Sequence, residues 1–168
     1  TRAARLPAAK VPKPTKDTEP PSLRVVLTAS MVASSARAAA VAREFALSPS
    51  QAARACALAQ RIMAGEGAWA WQQDVVAWQG NEVDLVHEGQ ALRLDRLVQR
   101  KDAGHEGHWW VLDYKSAGAP ERQPSLIAQM KLYRAAVQRA YPGATVRAAF
   151  LTGLGAVVEV TTANDPES

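Results

Sequence analysis

At 168 residues, with 48% hydrophobic side chains, the chain is long enough for one domain with its own core and too apolar for a disordered segment. No apolar run approaches the ~18 residues of a membrane-spanning helix, and the polar, proline-rich start does not read as a signal peptide. The net charge of +4 sits in residues 1–24, which hold six Lys or Arg against two Asp or Glu; the remainder is balanced, so charge does not mark the folded part as a nucleic-acid binder.

Residues 1–28 carry Pro7, Pro12, Pro14, Pro20 and Pro21 among lysines and read as a basic linker or arm, with the domain spanning 29–168. A basic arm could touch phosphates; a solvated tether is the simpler reading. The absence of an initiating Met points to a piece of a longer protein. The single Cys56 excludes an intramolecular disulfide and any cluster held by several cysteines, and a reducing cytoplasmic setting fits it. Its alanine and leucine neighbours at helical spacing make it a buried, inert thiol.

The alanine-rich stretch 29–46 predicts a helix. Ser48-Pro49-Ser50-Gln51 predicts a second helix start: a capping Ser, a Pro in the first turn and a Gln placed to close a capping box. That helix should run to Ala64 and stop at Gly65. Trp69, Trp71 and Trp78 follow in a stretch of no clear period and read as packing residues, with stacking on bases as the alternative. From Asn81 the period becomes two: Glu82–His87 and Ala91–Arg100 predict strands joined at Glu88-Gly89. On the second strand, Leu92, Leu94 and Val98 should share one face, and Ala91, Asp95 and Leu97 the other. A polar loop, Lys101–Gly107, leads to a third strand, His108–Lys115. After a loop with Gly118 and Pro120, a helix covers Pro124–Tyr141, with Leu126, Met130, Val137 and Ala140 facing inward. Thr145–Thr152 and Ala156–Thr161 predict the last two strands. A strand meander, a helix and returning strands make an α/β sandwich; no internal repeat is visible.

Chemistry concentrates at the end of the third strand. Asp113 and Lys115 lie two apart in Trp109-Trp110-Val111-Leu112-Asp113-Tyr114-Lys115, so they point the same way. Asp95 interrupts an otherwise apolar strand. Alone, it reads as an ion-pair partner of Arg93 or Arg96. If the two strands pair, Asp95 and Asp113 approach, and two such carboxylates repel unless a cation joins them. Oxygen-only ligands favour Mg²⁺ or Mn²⁺. Lys115 could orient or deprotonate a water, and Glu82 stands as a further acid, with an exposed strand glutamate as its plain reading. Gln129 and Tyr133, four apart, share the inward face of the last helix, where a buried amide needs partners.

Together, Leu94-Asp95-Arg96-Leu97, Val111-Leu112-Asp113-Tyr114-Lys115-Ser116 and Gln129-Met130-Lys131-Leu132-Tyr133 resemble the RecB-type branch of the PD-(D/E)xK nucleases. The likeness is to the C-terminal nuclease domain of AddA- or RecB-like helicase–nucleases of the UvrD/Rep class, over about Asn81–Val160. It implies a restriction-endonuclease-like αβββαβ core, a central mixed sheet flanked by helices, with extra N-terminal helices. It implies that Asp95, Asp113 and the Tyr114 backbone carbonyl bind Mg²⁺ or Mn²⁺, that Lys115 serves the water, and that Gln129 and Tyr133 support the site and the DNA. Glu82 would match an acidic position before the first Asp.

Two departures stand out. Leu92 replaces a Gly common in the family, and residues 29–64 lack the metal-binding His many members carry; His87, His105 and His108 all lie later and read as strand-edge or loop residues. The resemblance implies DNA as partner and end processing in double-strand-break repair. No GxxxxGK[ST] is present, so a helicase would lie elsewhere in the full chain or in a partner. The alternatives are a degenerate, non-cleaving nuclease fold used for DNA binding or assembly, and an unrelated α/β domain with a chance Asp-x-Lys.

Overall fold

The computed structural model describes residues 35–101, 107–116 and 118–161. The proline-rich arm, His105 and the beginning of the first expected helix lie outside these residues. Helices α1 (Ser35–Glu44) and α2 (Pro49–Ala64) come first, then a 3₁₀ turn (Ala68–Trp71), β1 (Val76–His87), β2 (Gln90–Arg100) and β3 (Trp109–Lys115). A second 3₁₀ turn (Pro120–Arg122), α3 (Pro124–Ala140), β4 (Val146–Thr152) and β5 (Val157–Glu159) complete the order. Five strands form one sheet in the order β1-β2-β3-β4-β5. The β3–β4 pair is parallel and the other pairs are antiparallel, with α3 as the crossover. This is the α/β order expected from the sequence.

The start of α2 follows from its sequence. Ser48 Oγ accepts a hydrogen bond from the Gln51 N–H at 3.3 Å, and Gln51 Oε1 accepts from the Ser48 N–H at 2.9 Å. At its other end α2 meets the β4–β5 turn. A Cβ on Gly65 would collide with the Gly155 carbonyl, and the next residue, Glu66, donates its N–H to that carbonyl at 2.8 Å. The β1–β2 turn has positive φ at Glu88 (50°) and Gly89 (78°), the sign pattern a tight hairpin needs.

The sheet separates two apolar layers. On the α2 side lie Ala52, Ala55, Ala59, Ile62, Val98, Trp110, Leu112 and Tyr114. On the α3 side lie Leu94, Leu97, Val111, Met130, Tyr133, Val137, Ala148 and Phe150. All seven residues of β3 are buried, as expected of a strand covered on both faces.

The structure corrects three local expectations. β1 begins at Val76, inside the stretch without clear period, so Trp78 is a strand residue; it rests on Trp109 at 5.4 Å. Ala140 is exposed, and Ala136 takes the inward position on α3. On β2, Leu97 joins Leu92 and Leu94 in the α3-side layer, while Val98 faces α2. Alternation breaks beside Asp95. The β1–β2 ladder pairs Asn81 with Arg96 and Val83 with Leu94, passing over Glu82 and Asp95, and Glu82 has φ +51°. A left-handed residue bends its strand, so the outer half of the hairpin turns its apolar side chains toward α3.

Candidate active site

The β2–β3 ladder runs from Gln99↔Trp109 to Arg96↔Leu112. One step further the register would bring Asp95 opposite Asp113. There the Asp95 side chain takes over from the backbone: its Oδ2 accepts a hydrogen bond from the Tyr114 N–H at 3.2 Å. A strand residue sends its N–H and C=O to the same side, so the Tyr114 carbonyl also faces β2, where the ladder has opened. The structure thus brings Asp95, Asp113 and the Tyr114 backbone to one place at the end of two neighbouring strands.

Asp95 is 2% exposed, Asp113 1% and Lys115 8%. Lys115 Nζ lies 2.7 Å from Asp113 Oδ2, a close ion pair. Even so, neither Asp113 oxygen has a partner that meets hydrogen-bond geometry. Phe150 pairs with Asp113 across β3–β4 and belongs to the apolar layer on that side, so the carboxylate lies beside hydrocarbon. With Lys115 against one oxygen only, the other oxygen of this buried carboxylate has room for a further cation or donor.

Gln129 and Tyr133 also come together: Gln129 Nε2 donates to Tyr133 Oη at 3.0 Å. Tyr133 packs in the layer that holds Val111, two residues before Asp113, so this pair lies on the sheet face of the acids. Glu82 is placed differently. Its carboxylate receives Arg93 Nε at 2.6 Å, an ion pair at the surface. Arg93 also lies 3.8 Å from Asp84, so neither Arg93 nor Arg96 serves as the partner first expected for Asp95. His108 continues the backbone ladder, its carbonyl accepting from the Arg100 N–H at 3.0 Å, and His87 pairs with Gln90 beside the hairpin turn.

Among the described residues, no three His, Cys, Asp or Glu side chains cluster as a metal site on their own. A hard cation of magnesium size does not require three. It keeps several waters and is commonly bound through one or two carboxylates. Two buried carboxylates, of which Asp113 has only the Lys115 ion pair against its Oδ2, beside a backbone carbonyl directed to the same gap, fit such an ion.

Arg96 was read only as an ion-pair candidate. It is 2% exposed and turned to the α2 side of the sheet. Its Nη1 donates to Asn81 Oδ1 at 2.6 Å, and its Nη2 donates to the Ala70 carbonyl at 2.6 Å and to Gln79 Oε1. Its guanidinium lies 4.9 Å from the centre of the Trp71 ring, and Trp71 stacks on Tyr114 at 6.4 Å. Burial draws the Arg96 pKa down, while the neighbouring Tyr114 draws it up. Burial also pushes the Tyr114 hydroxyl well above the ordinary tyrosine range, against the opposing pull of Arg96. The available sequence signal was an Arg directly after the Asp on an apolar strand, which strand alternation sends to the opposite face.

The family model described as the PD-(D/E)XK nuclease superfamily matches residues 10–165. No curated protein matches the chain. The family match takes in most of the sequence, and the chain belongs to the PD-(D/E)XK nuclease superfamily.

Proposed function

We propose that this member of the PD-(D/E)XK nuclease superfamily hydrolyses phosphodiester bonds of DNA with the help of Mg²⁺ or Mn²⁺. The observation that carries the reading is the junction of β2 and β3. There Asp95 bonds the Tyr114 N–H while Asp113 sits beside it, paired with Lys115. Asp95, Asp113 and the Tyr114 carbonyl would hold the cation. Once bound, the cation would polarise the phosphate and make a water more acidic. Lys115 would orient that water with its ammonium and offset negative charge as it grows on the phosphoryl oxygens. Its ion pair with Asp113 keeps the amine at the site. Gln129, tied to Tyr133 on α3, would support the site and the DNA strand.

By resemblance, we extend the reading to an exonuclease attached to a helicase of the UvrD/Rep class and acting at DNA ends in double-strand-break repair. A cytoplasmic setting and an arm ending near residue 28 belong to the same proposal. Among the described residues, no helix is long and apolar enough to cross a membrane. The test is to incubate the protein with linear single- and double-stranded DNA and Mg²⁺ or Mn²⁺. Cleavage should appear and should vanish in Asp113→Ala and Lys115→Ala; cleavage that survives both refutes the assignment.

A second reading has its own observation. Residues 29–64 contain no His, and Glu82 is engaged by Arg93 rather than held at the acids. A nuclease fold so depleted could bind DNA or a protein without cutting. Calorimetric titration with Mn²⁺ separates the two, since a scaffold gives no heat that depends on Asp95.

A further inference from the structure

Each acid of the site is followed by a residue on the opposite face of the sheet. Arg96 follows Asp95 on β2, and Tyr114 follows Asp113 on β3. These two followers meet a common third residue. Trp71, from the 3₁₀ turn Ala68–Trp71, has the Arg96 guanidinium 4.9 Å from its ring centre and stacks on Tyr114 with an interplanar angle of 20°. The ring therefore spans β2 and β3 at the level where their ladder ends.

The guanidinium extends the connection to other elements. Its hydrogen bonds reach Asn81 and Gln79 on β1, on either side of Gly80, and the Ala70 carbonyl within the 3₁₀ turn. Among the described residues no carboxylate pairs with it. A buried guanidinium without a counter-ion is expensive, and an apolar chain of similar volume would fill the space at lower cost. What an apolar chain cannot supply is the fork. A planar, multi-donor group fixes three acceptors in direction as well as distance. Two of the acceptors, Gln79 and Asn81, lie on β1 just before the bend at Glu82, where β1 passes Asp95 without a ladder pair.

We infer that Arg96 and Trp71 are positioning residues for the acidic pair, holding Asp95 in register with Asp113 from the opposite face of the sheet. The inference rests on the metal-nuclease reading. The β2–β3 ladder stops at Arg96↔Leu112; beyond it the Tyr114 N–H bond to Asp95 ties the strands on the acid face, and a restraint on the opposite face helps to fix the offset between the carboxylates. The Arg96–Trp71–Tyr114 stack is that restraint. Its side chains act through the backbone of both strands and touch neither substrate nor cation. Its contribution is geometric rather than coulombic, so a lysine, which keeps the charge but lacks the fork, does not replace Arg96.

The test compares Arg96→Met, Arg96→Lys, Trp71→Leu and Trp71→Phe with the unaltered protein and Asp113→Ala. Mn²⁺ affinity is read by calorimetry, kcat and KM on linear DNA by cleavage, and folding by thermal melts. Arg96→Met, Arg96→Lys and Trp71→Leu should melt cooperatively yet bind Mn²⁺ about 10- to 100-fold more weakly. Their kcat should fall while KM for DNA stays constant. Trp71→Phe keeps an aromatic face and should recover most of the affinity. Folded Arg96→Met with Mn²⁺ affinity equal to or tighter than that of the unaltered protein overturns the inference. If the Arg96 variants fail to fold, the Trp71 pair decides: equal Mn²⁺ affinity in the Leu and Phe variants overturns it. An unaltered protein that takes up no Mn²⁺ removes the nuclease reading and this inference with it.

Discussion

Two consecutive pairs, Asp95-Arg96 and Asp113-Tyr114, each give one residue to either face of the central sheet, and the two faces differ in kind. On the α3 side, Asp95 and Asp113 present buried oxygens with Lys115 between charge and surface. On the α2 side, Arg96 and Tyr114 present a cation and a ring stacked around Trp71. One face holds two buried carboxylates, Asp95 bonded to the Tyr114 N–H and Asp113 ion-paired with Lys115, and the other has a guanidinium tied to three neighbours. The contrast teaches that a strand dipeptide can divide its labour: the residue that reacts faces one layer, and the residue that holds it faces the other.

The sharpest break of this contrast is to remove the reactive face alone. Asp113→Ala should reduce DNA cleavage to background while the protein still melts cooperatively, since the opposite face retains its stack. Chelation with EDTA should abolish cleavage to the same extent, and added Mg²⁺ or Mn²⁺ should restore it, measured on the same linear substrate. Lys115→Ala should also lose cleavage but keep Mn²⁺ binding, which separates water orientation from cation binding.

Glu82 sharpens the boundary between the faces. Its carboxylate pairs with Arg93 at the surface, and its φ of +51° is what bends β1. Asparagine tolerates that conformation. Glu82→Asn should therefore keep the fold and hold cleavage within about fivefold, the scale of one exposed ion pair. A loss as deep as that of Asp113→Ala would place Glu82 among the cation's ligands.

The smallest effect belongs to the Tyr114 hydroxyl. This group is buried beside the Arg96 guanidinium, and burial raises its pKa against the opposing pull of that cation. A raised value means that the unfolded chain loses this proton first. The stability it contributes is intact below the ordinary tyrosine pKa of about 10 and declines as pH rises above it. Tyr114→Phe should flatten that alkaline decline in urea melts and cost about 1 kcal/mol at neutral pH, the scale of its one contact with Arg96.

Much of this was legible in the sequence where local chemistry decides structure. Ser48-Pro49-Ser50-Gln51 specified a capped helix start, and the structure closes both hydrogen bonds of that box. The Asp113-x-Lys115 spacing specified two side chains on one face, and they form an ion pair. The Gln129–Tyr133 pair was visible as an i, i+4 match with an amide in need of a partner. What escaped depends on backbone signs and long-range packing. A left-handed Glu82 has no sequence mark, because Gly or Asn usually signals that conformation. Without it, strict alternation put Leu97 on the face opposite Leu92 and Leu94. Val76 to Gly80 lacked a period because Trp78 lies on the outer strand of the sheet, partly exposed. The Arg96–Trp71 contact joins residues 25 positions apart, and no local pattern announces it.

The most direct test of the paired acids is a crystal soaked in Mn²⁺ and measured for anomalous scattering. A single peak between Asp95 and Asp113, at about 2.0–2.3 Å from an oxygen of each, is the expected result. Protein that cleaves DNA in Mn²⁺, yet shows its only peak away from both carboxylates, would contradict the account.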